Sequence, residues 1–203
     1  HENRGTMLDV ARRTAEACFM PATLGGGVRT VDDIRVLLQS GADKVSINTP
    51  ALERPGLIGE LAEAFGVQCV VVGIDSVRDA DGEWRVRSHT GDPDAMRAPG
   101  KRTLDWVVEA QALGAGEIVL NCMGSDGVRG GYDIEQLNAV RARCAVPLVA
   151  SGGAGEAAHF EDVFREADVD AALAASVFHS GAVRIPELKT ALRAQGIEVR
   201  DVA

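Results

Sequence analysis

Two patterns of hydrophobic residues, one typical of β-strands and one typical of α-helices, alternate along the chain. Short strand-like runs rich in β-branched and apolar residues occur at 20–26, 43–49, 68–75, 117–123, 146–152 and 169–178. Between them, apolar residues recur every three or four positions, which predicts helices at 6–19, 31–41, 55–66, 103–114, 134–144, 156–167 and 185–196. An alternating segment at 82–91 predicts a hairpin on a long loop, and 124–133 is a glycine-rich loop. Strands that alternate with helices in this way form a parallel sheet.

Such a sheet either stays open and doubly wound or closes into an eight-stranded barrel. A complete barrel has eight strands and about 250 residues, whereas this chain has 203 residues and starts with a helix at a residue other than Met. We therefore predict an α/β fold of the (β/α)8 TIM-barrel type that lacks its first strand, its first helix and its second strand. Residues 1–203 form a single barrel domain, incomplete at its N-terminus, in this interpretation.

Two segments of the chain repeat each other. Aligning LGGGVRTVDDI with ASGGAGEAAHF places Gly27 on Gly153, and one inserted residue then places Thr49 on Ser176. The period of about 126 residues is half a barrel, whereas solenoid repeats are much shorter. The repeat predicts that the barrel consists of two duplicated half-barrels.

The glycines of the repeat suggest a chemical role. Glycine lets backbone N–H groups approach a ligand closely, and the start of a following helix favours an anion. Loops after late strands of TIM barrels often bind phosphate in this way. Two copies predict two phosphate sites on opposite rims and a substrate with a phosphate at each end. The alternative is that the glycines only permit tight turns, although two copies with matching hydroxyl residues favour phosphate.

Polar side chains fall on one face of two predicted strands. Lys44 and Asn48 share a face of one strand, and Glu117 and Asn121 share a face of another. Helices cover the apolar outer face, so these four side chains point into the barrel. Lys44 and Glu117 lie at the strand starts, where they form either a structural ion pair on the barrel floor or a gate on a passage through it.

Asp75 is the candidate catalytic residue. It ends VVVGID, the most apolar strand, at the tip where barrel strands carry catalytic groups. A proton-transfer role is favoured over the alternative of a loop cap. Asp126, in the glycine-rich loop, either contacts substrate or forms an Asx-turn. His89 and His159 are interpreted as surface residues.

The amino-acid composition argues against nucleic-acid-binding, membrane-spanning and disulfide-bonded classes of protein. The net charge of −9 argues against a nucleic-acid partner, and no apolar stretch reaches the roughly 20 residues of a membrane span. The four cysteines form no CxxC pair, which predicts a reducing, cytoplasmic location without disulfides or a zinc site.

Six motifs together resemble one enzyme family. LGGGVRTVDDI, GADKVSIN, FGVQCVVVGID, GAGEIVLNCMGSDGVRGGYD, VPLVASGGAG and DAALAASVFH are similar to the cyclase subunits of imidazole glycerol phosphate synthases in histidine biosynthesis. The resemblance covers essentially the whole chain and implies a lyase that needs no cofactor and pairs with a glutaminase subunit as a heterodimer. It implies use of ammonia from that partner to convert a bisphosphorylated ribulosyl-formimino carboxamide ribonucleotide into imidazole glycerol phosphate and an aminoimidazole carboxamide ribotide.

The resemblance also implies roles for individual residues. Asp75 matches one of two acid/base aspartates; the other precedes His1, so residues 1–203 alone are expected to be inactive. Lys44 and Glu117 match two of four charged residues at an ammonia entrance, and Asp43 matches a residue that faces the glutaminase. Asn121 stands where other members carry Thr. The candidate phosphate-binding residues are Gly27, Asn48 and Thr49 at one rim, and Gly127, Gly153, Ala175 and Ser176 at the other. Further candidates for substrate or phosphate binding are Asn121, Asp126 and Ser151.

Two rival functions remain open. One is the sister isomerase of the same pathway, a phosphate-binding barrel that acts on a closely related bisphosphate. The other is a non-catalytic barrel fragment that binds phosphate or docks a partner without turnover. The sequences VQCVVVGID and LNCMGSDGVRGGYD resemble the cyclase more closely than the isomerase.

Overall fold

A computed structural model describes the backbone of residues 2–200 and the side chains of residues 8–200. The strands are β1 (Thr23–Gly25), β2 (Lys44–Ile47), β3 (Val70–Arg78), β4 (Trp84–Arg87), β5 (Glu117–Cys122), β6 (Leu148–Ser151) and β7 (Ala171–Leu173). The α-helices are α1 (Glu2–Ala17), α2 (Val31–Gln39), α3 (Thr49–Glu53), α4 (Gly56–Phe65), α5 (Thr103–Ala112), α6 (Ile134–Arg141), α7 (Ala157–Glu166), α8 (Ser176–His179) and α9 (Ile185–Ala194). Within this part of the chain, no helix is long and apolar enough to cross a membrane.

The sheet is wound in one direction. Its parallel strands lie in the order β1-β2-β3-β5-β6-β7, and β4 pairs antiparallel with β3. A doubly wound sheet would reverse its strand order at a switch point, whereas here spatial neighbours follow chain order. The parallel sheet and its alternating helices confirm the prediction of an α/β fold of the TIM-barrel type.

The alternating burial of the strands separates an apolar face from a polar one. Val45 and Ile47 of β2 and Leu120 of β5 are buried in the hydrophobic core with residues of the surrounding helices. Lys44 and Glu117, on the opposite face, are only partly buried. The inward placement predicted for the polar positions is therefore confirmed.

Several predicted strands were too long, and two of them include residues that belong to a short helix. The strand predicted at 169–178 ends at Leu173, and the one predicted at 43–49 ends at Ile47, because a short helix follows each. The cause is the backbone of Asn48 and Ala175, whose ψ angles of −89° and −67° leave the extended region. Because α3 and α8 begin at Thr49 and Ser176, the two copies of the repeat end in the same local structure.

The predicted hairpin is present, but it begins within β3. This strand continues past Asp75 to Arg78 and pairs with β4, so the prediction that Asp75 ends its strand was wrong. Parallel pairing with β5 stops at Ser76. Asp75 thus lies at the C-terminal limit of the parallel sheet and at the foot of the hairpin.

A buried polar cluster anchors this part of β3. Ser76 Oγ lies 2.6 Å from Thr103 Oγ1 of α5 and accepts a hydrogen bond from Gln136 Nε2 of α6. All three side chains are almost completely buried. The cluster, called the Ser76 cluster below, ties two helices to the residue that follows Asp75.

Candidate active site

Three side chains donate hydrogen bonds to the carboxylate of Asp75. Asn48 Nδ2 and Thr90 Oγ1 lie 2.6 and 2.5 Å from Oδ2, and Asn121 Nδ2 lies 2.8 Å from Oδ1. The asparagines reach it from both sides because β2 and β5 flank β3, with Asn121 in direct register with Asp75. Among the described residues no backbone N–H donates to this carboxylate, so the arrangement does not support the loop-cap alternative.

The first of two cavities lies between the ends of β1 and β2 and the loop that follows β4. Its volume is about 500 Å³. Gly26 and Gly27 have φ angles of 98° and 66°, which other residues rarely adopt, and a Cβ on either would meet no atom within 4 Å. The residues that line this cavity are Gly25, Gly26, Gly27, Val28, Ser46, Ile47, Asn48, Thr49, Pro50, His89, Thr90 and Gly91.

The second cavity, of about 330 Å³, lies on the other side of β3. Gly152 and Gly153 have φ angles of 90° and 117°. A Cβ on Gly153 would lie 2.0 Å from the carbonyl oxygen of Gly131, so close packing as well as the turn requires glycine there. The residues that line this cavity are Asn121, Asp126, Gly127, Arg129, Ser151, Gly152, Gly153, Ala154, Leu173, Ala174, Ala175 and Ser176.

The structure divides the predicted binding residues between these cavities as the repeat suggested. The first cavity is lined by Gly27, Asn48 and Thr49, and the second by the four candidates of the other rim. The second cavity is also lined by the three candidates that had no assigned rim, which are Asn121, Asp126 and Ser151. Asn48 and Asn121 connect the cavities to Asp75, and Ser151 Oγ donates to Asn121 Oδ1 at 3.3 Å. Asn48 Oδ1 is buried and has no hydrogen-bond partner among the described residues.

The loop after β4 contributes to the site, although no motif in the sequence indicated a role for it. His89 was interpreted as a surface residue, but it is partly buried and lines the first cavity. Its φ angle of 57° is left-handed, and its N–H donates to Thr49 Oγ1 at 2.9 Å. His159 is also partly buried, and its Nδ1 accepts from the N–H of Gly155 at 3.0 Å. The His89 contact joins residues 40 positions apart, so local sequence carries no signal for it, whereas the His159 contact is local and spans four residues.

An ion pair joins the N-terminal ends of β2 and β5, opposite to the ends that carry Asn48 and Asn121. Lys44 Nζ lies 2.5 Å from Glu117 Oε2, and the side chains are 33% and 14% exposed. This geometry agrees with the predicted ion pair at the strand starts. Asp43, next to it, is exposed, and its Oδ2 accepts from the N–H of Ala22 at 2.8 Å.

The cavities differ in their charged groups. The ionisable side chain of the first is that of His89, whereas Asp126 and Arg129 line the second. Beneath the site, burial and, to a lesser extent, the charge of Asp133 raise the pKa of the Cys122 thiol, which keeps it neutral. Within the described part of the chain, no group of three or more His, Cys, Asp or Glu side chains is arranged to hold a metal ion.

Comparison with known proteins identifies the family. The model of the histidine biosynthesis protein family matches residues 1–184. The HisF subunit of imidazole glycerol phosphate synthase from Xanthomonas campestris (strain 8004) is 66% identical over 199 residues, which are 97% of this chain and 77% of the relative. The HisF subunit from Xylella fastidiosa (strain M12) is 67% identical over 190 residues, 94% of this chain and 74% of the relative. The chain therefore belongs to the histidine biosynthesis protein family, and within it the chain is similar to the HisF subunits of imidazole glycerol phosphate synthase.

Proposed function

We propose that this chain is the cyclase subunit of an imidazole glycerol phosphate synthase, a lyase of histidine biosynthesis. The observation that supports it most directly is the position of Asp75, whose carboxylate lies between two glycine-lined cavities. The family membership and the names of the relatives point to the same reaction. The substrate is a bisphosphorylated ribulosyl-formimino carboxamide ribonucleotide, and the nitrogen donor is ammonia.

The two cavities hold the two phosphates of this substrate. At the first, the backbone of Gly27 and the side chains of Asn48 and Thr49 surround one phosphate. At the second, the backbone of Gly127 and Gly153 and the start of α8 surround the other. Because the cavities lie on opposite sides of β3, a substrate bound in both extends across the strand that carries Asp75.

Asp75 transfers protons during imine formation and ring closure. Its three donors hold both oxygens in a fixed orientation, so the carboxylate meets the incoming nitrogen in a defined geometry for proton transfer. The neutral amides of Asn48 and Asn121 hold it in place while the proton is bound and released.

Ammonia reaches Asp75 through the barrel from a glutaminase subunit. Delivery through the protein keeps ammonia unprotonated until it meets the substrate. Lys44 and Glu117 form part of the entrance gate, and the exposed carboxylate of Asp43 beside them contacts the partner. The two subunits form a heterodimer in the cytoplasm.

The decisive experiment compares Asp75→Asn with the exposed helix variant Asp105→Asn. Both are made in the protein expressed from its complete reading frame and assayed with ammonium salts as nitrogen donor. We expect Asp75→Asn to abolish imidazole glycerol phosphate formation and Asp105→Asn to retain it. Near-normal turnover by Asp75→Asn would remove the role assigned to this carboxylate.

The same assays separate the rival functions. Opening of the aminoaldose ring without ammonia-dependent cyclisation by the wild-type protein would identify the sister isomerase. Binding of the bisphosphate without any turnover would identify a non-catalytic barrel. Loss of glutamine-dependent but not ammonium-dependent turnover in Asp43→Ala would support the proposed partner contact, and no change in either would refute it.

A further inference from the structure

Of the three described donors to Asp75, Thr90 is the one that comes from a loop rather than from a residue of the predicted binding set. This residue lies on the loop that follows β4, and its hydroxyl lies 2.5 Å from Asp75 Oδ2. Thr90 also lines the first cavity, so it lies beside the substrate position as well as the carboxylate. Neither the repeat nor the resemblance assigns it a role.

The loop that carries Thr90 is held at both ends. Ser88 and Arg97 exchange two backbone hydrogen bonds of 3.0 and 2.9 Å, which join its two ends. Next to Ser88, the N–H of His89 donates to Thr49 Oγ1. His89 keeps a left-handed φ of 57°, a conformation that costs free energy for any residue except glycine. The strained backbone at position 89 places the next side chain against Asp75.

The three hydrogen-bond donors are divided unequally between the two carboxylate oxygens of Asp75. Asn48 and Thr90 share Oδ2, while Asn121 alone contacts Oδ1. If Thr90 were absent, Oδ2 would lose one of its two donors, and the amides of Asn48 and Asn121 alone would restrain the χ2 torsion of the carboxylate. The hydroxyl of Thr90 therefore narrows the range of orientations open to the carboxylate plane.

We propose that Thr90 is a positioning residue for Asp75 in the cyclisation reaction, and this inference rests on the proposed function. Its loop also links the carboxylate to the first cavity. Because Thr49 Oγ1 accepts from His89, the Thr49 hydroxyl proton is left to donate to a phosphate in that cavity. Phosphate binding at Thr49 thus fixes the segment that orients Asp75.

The test uses Thr90→Val, which keeps the shape but removes the donor, and Thr90→Ser, which restores it. The matched control is Thr190→Val on α9, an exposed residue whose hydroxyl donates to the carbonyl of Pro186 at 2.9 Å. We expect Thr90→Val to lower kcat by about 10-fold to 100-fold, the range for a lost hydrogen bond to a charged group. We expect its KM for the bisphosphate to change by no more than about twofold. Thr90→Ser and Thr190→Val retain kcat.

Two results would overturn the proposal, and both can be told apart from failure of the proposed function. The first is a Thr90→Val enzyme with unchanged kcat, or a Thr90→Ser enzyme as impaired as Thr90→Val. The second is a crystal structure of Thr90→Val in which the Asp75 carboxylate keeps its orientation, a readout that needs no turnover. Absence of turnover in the wild-type protein would instead contradict the proposed function and leave the crystallographic comparison to decide the role of Thr90.

Discussion

Gly27 and Gly153 are equivalent in the repeat but differ in their surroundings, so alanine should affect them unequally. A Cβ on Gly27, at φ 66°, would meet no atom within 4 Å. A Cβ on Gly153, at φ 117°, would lie 2.0 Å from the carbonyl oxygen of Gly131 and 3.2 Å from Cβ of Ser125. Gly153 also accepts a hydrogen bond from the N–H of Gly131 at 2.9 Å, which the displaced backbone would lose.

The cost of each substitution follows from these contacts. At Gly27 the only penalty is the left-handed backbone of a non-glycine residue, about 1 kcal/mol. At Gly153 a φ beyond the left-handed region, an overpacked contact with backbone and a lost hydrogen bond together cost about 3–7 kcal/mol. We therefore expect Gly153→Ala to be less stable than Gly27→Ala by at least about 2 kcal/mol.

Thermal and urea unfolding of the two variants measure this difference. For a chain of this length, 1 kcal/mol lowers Tm by about 2–4 °C. Gly27→Ala should lose about that much, and Gly153→Ala at least about 6 °C. Equal losses, or a larger loss at Gly27, would show that the contact between Gly153 and Gly131 does not constrain the loop.

Three further predictions concern the floor of the sheet and the core. Lys44→Met should lower the free energy of unfolding by about 1–3 kcal/mol because it leaves the mostly buried Glu117 carboxylate unpaired. Replacing Glu117 by Gln as well removes the unpaired charge, so a Lys44→Met/Glu117→Gln double variant that is no more stable than Lys44→Met would contradict this. Ser76→Ala should cost about 2 kcal/mol in urea unfolding, since the other two buried members of the Ser76 cluster lose their partner, and a neutral effect would argue against the cluster. Burial raises the pKa of the Cys122 thiol, so the folded protein keeps a proton that the unfolded chain releases above the ordinary value of 9.0. The stability contributed by the neutral Cys122 thiol should be complete below pH 9 and decline above it. In urea unfolding measured between pH 8 and 10, Cys122→Ala should show a smaller decline than the wild-type protein.

The sequence predicted the elements that depend on local pattern. The parallel strands, the main helices and the polar inward faces follow from periodicity, because burial under helices dictates which positions are apolar. The division of Gly27 and Gly153 between two cavities followed from the repeat, since duplicated segments occupy equivalent places in the sheet. The ends of the strands were less accurate. A hydrogen-bonded ladder can stop at any residue whose ψ leaves the extended region, and Asn48 and Ala175 give no compositional warning of this.

The contacts of the loop after β4 could not be predicted from the sequence. Thr90 lies 15 positions from Asp75 along the chain, and the two meet only because β3 extends to Arg78 and turns back through β4. The left-handed backbone of His89 could not be predicted either, because glycine is the residue that most often indicates a positive φ. Hairpin register decides both contacts, and register depends on pairing rather than on composition.

Because β2 and β5 run parallel, they place one pair of side chains together at their N-terminal ends and another pair at their C-terminal ends. At their starts, β2 and β5 carry opposite charges, and Lys44 and Glu117 neutralise each other. At their C-terminal ends they place Asn48 and Asn121 on either side of Asp75, and no ion pair among the described side chains includes this carboxylate. The two amides and the Thr90 hydroxyl fix the orientation of the carboxylate from both sides. A fixed orientation is what the proposed acid/base role requires, because the carboxylate must meet the substrate in the same geometry in each turnover.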